Sequence, residues 1–148
     1  DKLNVPGSAG FIPFRQSRCI IPVTGFGETE FVGKKPIHYH NFTASKSAMA
    51  LAGLYKTWLN KQTGELVYSC SVITNPPHKK LRQLHSKASP CLLPLDQTLD
   101  AWLNTSNNDT EQFEHLFTPN IPYNLLVQQI DKPSSARPIN EPFMISKD

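Results

Sequence analysis

The sequence predicts an α+β fold: mainly antiparallel strands forming a barrel-like sheet, flanked by short helices. Apolar or alternating runs of strand length recur along the chain, bounded by turn-forming residues. Thirteen prolines, mostly at the borders of those runs, cut the 148 residues into short pieces and argue against a helical bundle.

Residues 1–17 hold Gly7, Ser8, Gly10 and two prolines, and read as a loop or a severed end. Arg18 to Pro22 reads as a strand that runs into a glycine-rich turn at Gly25 and Gly27. Pro36 to Phe42 alternates polar and apolar residues, as a half-buried strand does. Met49 to Trp58 and Leu66 to Thr74 form a hairpin pair, with Asn60 to Glu65 as its turn. Pro76-Pro77 opens a short helix whose Leu81, Leu84 and His85 share one face, while Lys79 and Arg82 project elsewhere. Pro90 to Pro94 is a brief strand. Asp96 caps a helix through Leu103, with Leu99 and Trp102 or Leu103 as its buried stripe. Thr110 to Phe117 is a second short helix, and Asn124 to Ile130 a last strand. Residues 131–148 are rich in Pro and Ser and read as an irregular tail.

At 39% hydrophobic and 18% charged, the chain suits one domain over residues 1–148, with a core of its own. No apolar run approaches the ~20 residues of a membrane helix, and no secretory apolar segment opens the chain. The expectation is a soluble cytoplasmic protein, nucleoid-associated if bacterial, without a membrane partner. Cys19, Cys70 and Cys91 are odd in number and sit in apolar runs, which favours a reducing compartment. The first residue is Asp1 and not Met, which reads as a chain lacking something upstream.

The net charge of +3 is mild, but Lys79, Lys80, Arg82 and Lys87 cluster within ten residues. Such a run is a solvated helix face or an anion-binding edge, with phosphate the obvious anion. Glu28 follows Phe26 on the glycine turn. It is a solvated turn residue, or a half-desolvated carboxylate with a raised pKa suited to acid–base work. His85 lies on the apolar side of its predicted helix, as a packed structural ring or a catalyst. Strand end, Pro turn and helix bring Thr74 and His85 toward one sheet edge. His38 and His40 place both rings on one strand face, a spacing that can hold Zn or Cu, yet no further ligand lies near in sequence. No metal and no cofactor are expected. Ser45-Lys46-Ser47 is a hydrolase dyad only in the sense that any chain of this size offers one. The aromatics show no paired spacing from which a base-stacking platform could be read.

RCIIPVTGFGE, from Arg18 to Glu28, resembles the R-C-L-V-P-A-D-G-F-Y-E-W signature of the SOS-response-associated peptidase family, proteins that crosslink to abasic sites in single-stranded DNA. MALAGLYKTW is similar to that family's P-x-A-F-A-G-L-W-E-x-W, and CSVITNPPHKKLRQLHSK to its T-I-L-T-T strand followed by the helix ending I-H-x-R-M-P. LLPLDQTLDAWL follows in order. The resemblance implies that Glu28 is the acid–base glutamate and His85 the active-site histidine. Thr74 lines the same pocket, with Gly25 and Phe26 on its wall. Lys87 stands where the family has a phosphate-contacting arginine, and loses the bidentate fork. Arg18, Lys79, Lys80 and Arg82 complete the expected DNA-binding set.

Gly27 for Tyr, Thr29 for Trp and the one residue that Ala88-Ser89 inserts before Pro90 depart from the pattern. The family's nucleophile is an N-terminal cysteine, followed by an Asn-x-Arg motif. Neither is found here, and only Cys19 matches a family position, a structural one. The expectation is the C-terminal larger part of such a domain. The implied activity is abasic-site processing in single-stranded DNA by a thiazolidine crosslink, with associated autopeptidase activity, and the protein is expected to be a monomer. Two alternatives are a truncated, non-covalent single-stranded-DNA-binding module and an unrelated small hydrolase.

Overall fold

The computed structural model describes residues 2–45, 47–106 and 108–148. In chain order its strands are β1 (Arg18–Val23), β2 (Gly25–Val32), β3 (Lys35–Ala44), β4 (Met49–Leu59) and β5 (Leu66–Val72). The short β6 (Thr74–Asn75), β7 (Ser89–Pro90) and β8 (Leu92–Leu93) follow, then β9 (Leu125–Ile130) and β10 (Phe143–Ile145). Helices α1 (Phe11–Gln16) and α2 (Gln97–Leu103) and a 3-10 helix over Glu111–Phe117 flank them. Every named strand pairing is antiparallel.

Strand β4 organises the layers because its side chains alternate between two cores. Met49 and Leu51 pack with Phe42, Tyr123, Leu125 and Val127, between the sheet β1-β4-β5 and the sheet β10-β9-β3-β2. Ala50, Ala52 and Leu54 face Phe14, Trp102, Phe113 and Leu116, on the helical side. The two sheets wrap their shared core in barrel-like fashion, and among the described residues their strands do not close into a ring. The α+β class is therefore as expected.

Several elements follow the sequence closely. The β4–β5 hairpin runs to Leu59↔Leu66, and Gly64 closes its turn at φ +74, a conformation that glycine adopts without strain. Asp96 caps α2, its carboxylate accepting from the Thr98 amide at 2.8 Å. Trp102 is the buried residue of that helix, and Leu103 is exposed.

Other elements differ. Gly25 and Gly27 lie in β2 and not in a turn, and neither has positive φ. Gly25 serves close approach instead: a Cβ there would lie 2.7 Å from the Phe42 carbonyl oxygen. Residues 76–88 form successive turns, not a helix. Leu81 and Leu84 amides bond three residues back, and only His85 N–H reaches four back, to Leu81. So short a segment, carrying four neighbouring cations, does not recover the cost of helix nucleation. Residues 111–117 are 3-10 rather than α. Residues 1–17 contain α1, anchored by buried Pro13 and Phe14. The tail is not wholly irregular: β10 pairs with β9 because Ile145 has a core site to fill.

Candidate functional site

Along β2, residues 26, 28 and 30 point to one face, and cross-strand pairing sets Phe42, His40 and His38 beside them. Phe26 stacks on Phe42 at 4.9 Å between ring centroids, within 5° of parallel. That face therefore enters the core at Phe26 and leaves it at Glu30, whose carboxylate meets exposed His38 at 2.9 Å. Glu28 sits between these ends. Its placement follows from strand alternation and not from a turn.

The turns of residues 76–88 bring His85 to this point. Glu28 Oε2 lies 3.2 Å from His85 Nε2, with side-chain exposures of 15% and 7%. His85 Nδ1 donates to the Thr29 carbonyl at 3.1 Å, and Nε2 also faces the Ala88 carbonyl at 3.1 Å. Both ring nitrogens thus face oxygens, and the ring is best satisfied carrying a proton on each. Burial raises the Glu28 carboxyl above the ordinary range, and the neighbouring imidazole partly offsets this. One proton moved from Nε2 to Oε2 converts a charged pair into a neutral one with no change in total charge. Such a pair can give and take a proton without importing charge into a half-dry site.

The remaining expected residues fall in different places. Phe26 borders a narrow gap shared with Asn75, Ser89, Pro90 and Ile121, and among the described residues the buried Ser89 hydroxyl has no hydrogen-bond partner. Gly25 lies one residue along, in close contact with β3. Thr74 pairs with Pro90 on the β6–β7 ribbon and lines a cavity of about 370 Å³ with Leu3, Ile73 and Phe117. Among the described residues no hydrogen bond or ion pair joins Thr74 to Glu28 or His85, whereas Glu28 and His85 meet directly.

Of the cations, Lys79, Lys80, Arg82 and Lys87 are exposed. The Lys87 ammonium stands 4.2 Å above the Phe31 ring. Lys80 is engaged by Asp148 at 2.8 Å. Arg18 departs from expectation. It is 2% exposed, and its guanidinium donates to the carbonyls of Trp102, Phe14, Arg15 and Asn104. It ties β1 to α1 and α2 and cannot reach a nucleic acid, because a buried guanidinium must spend its donors inside the fold.

Sequence reasoning weighed His40 only as a metal ligand and missed its place beside Glu28: it pairs with Glu28 across the strands, is 5% exposed, and its Nδ1 has no hydrogen-bond partner among the described residues. The signal was available: E-x-E on one strand and H-x-H on the next meet if the two form a hairpin. Burial lowers the His40 pKa. Among the described residues no three metal-ligating side chains converge. Lys46 of the Ser-Lys-Ser run lies outside the described residues. No helix of the described residues is long and apolar enough to cross a membrane.

The family model for the SOS response associated peptidase (SRAP) matches residues 11–133. The chain is 33% identical over 108 residues to the abasic site processing protein YobE of Bacillus subtilis, covering 72% of this chain and 48% of that protein. It is 28% identical over 129 residues to the abasic site processing protein HMCES of Xenopus tropicalis, covering 74% and 38% respectively. Against the Bacillus proteins it spans about half their length. A crystal structure of a protein from Bacteroides thetaiotaomicron superposes with a TM-score of 0.75 over 94% of this chain and 63% of that one, at 22% identity, which shows a shared fold.

Proposed function

The chain belongs to the SOS response associated peptidase family, and on that premise we propose that Glu28 and His85 carry the proton transfers of abasic-site processing in single-stranded DNA. The observation that carries this is the 3.2 Å contact between a half-dry carboxylate and a ring whose other nitrogen is committed to Thr29. The names of the curated relatives support the substrate.

An abasic sugar is mostly a closed ring, and reaction at its C1′ needs the open aldehyde. Opening requires a proton on the ring oxygen and removal of one from the anomeric hydroxyl. His85 Nε2–H is the donor and Glu28 the acceptor, and their shared proton resets the pair. The same pair then protonates the hydroxyl that leaves when an amine condenses with the aldehyde. In the family that amine and the neighbouring thiol belong to an N-terminal cysteine, giving the thiazolidine link. Here Cys19 lies within β1, Cys91 is buried, and Cys70 is on exposed β5. These 148 residues supply the proton-transfer wall and, through Lys79, Arg82 and Lys87, a phosphate edge. The exposed cations also favour a second reading, a non-covalent single-stranded-DNA module acting as a monomer.

The test is the rate at which a hydroxylamine probe captures the open aldehyde of an oligonucleotide with one abasic site. The chain accelerates capture, and Glu28→Gln or His85→Ala slows it by roughly a hundredfold, the scale of a lost general acid or base. Equal rates with and without these side chains would remove the proposal and leave the binding-module reading.

A further inference from the structure

Residues 76–88 carry His85 but have neither a helix ladder nor, before β7, a sheet partner, so their order must come from elsewhere. His78 opens the turns and is 7% exposed. Its Nδ1 accepts from the Lys80 amide at 3.2 Å, which leaves the ring proton on Nε2, 3.2 Å from Asp148 Oδ2. The same oxygen accepts from the Ile121 amide at 2.9 Å, and the Asp148 amide donates back to the Ile121 carbonyl at 3.0 Å. Ile121 is 1% exposed, so this anchor is part of the core.

On the other side of His78, its carbonyl accepts from the Leu81 amide at 2.8 Å. The Leu81 carbonyl accepts from the amides of Leu84 at 2.9 Å and His85 at 2.8 Å. Leu81 itself is 2% exposed, which pins the middle of the path. A continuous series of hydrogen bonds and turns thus runs from the Asp148 carboxylate to the backbone of His85. The Lys80–Asp148 ion pair contributes little by itself, because both side chains are about a third exposed. The part-buried bonds to the His78 ring and the Ile121 amide matter more, since breaking them leaves polar groups of two nearly inaccessible residues without that partner.

We infer that Asp148 is a positioning residue for His85, acting through His78 and the turns between them. The inference rests on the reading of Glu28 and His85 as the proton-transfer pair. It also explains why Lys80, alone in its run, is withdrawn from the phosphate edge: its ammonium is held by Asp148 and by the carbonyls of Ser146 and Lys147.

The experiment is nuclear magnetic resonance on the whole chain with Asp148→Ala and Asp148→Asn, the second keeping an oxygen acceptor while removing the charge. Asp148→Ala shifts the ring-nitrogen signals of His85 and speeds amide exchange at Leu81, Leu84 and His85 by about tenfold or more, with amides of β3 and β9 unchanged. Asp148→Asn restores both. The inference is overturned if Asp148→Ala leaves the His85 ring signals in place, or if exchange rises equally in β3 and β9. Aldehyde capture on the same proteins separates the two readings. Should Glu28→Gln and His85→Ala have no effect on capture while Asp148→Ala moves the His85 ring, the proton-transfer reading fails and the positioning stands. The opposite pattern overturns the positioning alone.

Discussion

Glu28 Oε2 and His85 Nε2 meet at 3.2 Å, although one side chain comes from the middle of a strand and the other from a run of turns. Neither element forms the site alone. Strand alternation aims the carboxylate inward beside Phe26, and the buried Leu81 draws the His85 segment down over it. Removing either partner leaves the other half-buried and uncompensated, so single substitutions should disturb the site more than they reduce contact area.

The close approach of β2 to β3 predicts a sharp difference between neighbouring glycines. A methyl at Gly25 would meet the Phe42 carbonyl oxygen at 2.7 Å and the Thr43 side chain at 2.9 Å. At Gly27 the nearest atom is the Asn41 side-chain oxygen at 3.5 Å, an ordinary contact. Gly25→Ala should destabilise the fold by about 1–3 kcal/mol, as overpacking against backbone does, while Gly27→Ala stays within about 0.5 kcal/mol. Chemical denaturation of the two variants side by side measures the contrast. Equal midpoints would show that the Phe42 carbonyl yields easily.

The cations should divide into two kinds. Each of Lys79, Arg82 and Lys87, changed to Ala, should flatten the salt dependence of single-stranded-DNA binding by about 0.7 in log–log slope, the value for one released counterion. Lys80→Ala should do less because its ammonium is already held by Asp148. Arg18→Met should leave the slope alone and lower stability by roughly 3 kcal/mol or more, since four carbonyls lose their donor. Salt titrations with unfolding curves sort the five variants, and a reduced slope for Arg18→Met would contradict its structural role.

The three thiols should differ just as clearly. Cys70 is exposed on β5, whereas Cys91 is fully buried and its Sγ–H donates to the Leu116 carbonyl. Burial pushes the Cys91 thiol up to about 11. Iodoacetamide at pH 8 should therefore label Cys70 first and leave Cys91 unmodified until the chain unfolds. Peptide mapping of the alkylated protein reads this out, and early labelling of Cys91 would mean that its layer opens readily.

What the sequence made legible was the part governed by short-range rules. Two apolar runs of strand length around the turn residues Asn60 to Glu65 placed β4 and its hairpin, and Asp96 before an apolar stripe placed the cap of α2. The ordered blocks also picked out Glu28 and His85, which the fold brings into contact. Less legible were features set by distant partners. Gly25 reads as a turn former until β3 is seen lying against it. Arg18 reads as a surface cation until its four carbonyl acceptors, two of them beyond residue 100, are known. Leu81, Leu84 and His85 keep the same buried side in turns as in a helix, so periodicity alone could not separate the two.

The Glu28 carboxyl predicts a specific dependence of stability on pH. Burial is the first cause of its shift, the His85 ring opposes it, and the net direction is upward from the usual 4.5. A carboxyl whose pKa is higher folded than unfolded binds its proton more tightly in the native state. Its contribution to stability is therefore fully present below the unfolded value and is lost as the pH rises through the higher folded value. Glu28→Gln has no proton to lose. The stability of the wild-type chain should thus fall relative to that of Glu28→Gln as the pH rises from the usual 4.5 through the higher folded value. With His85→Ala the opposing imidazole is gone, so the Glu28 titration should move further up. Denaturation at several pH values, together with carboxyl-carbon resonance titrations of Glu28, measures both effects. A stability difference that stays flat across that range would mean that water reaches Glu28 freely, and the half-dry pair would lose its physical basis.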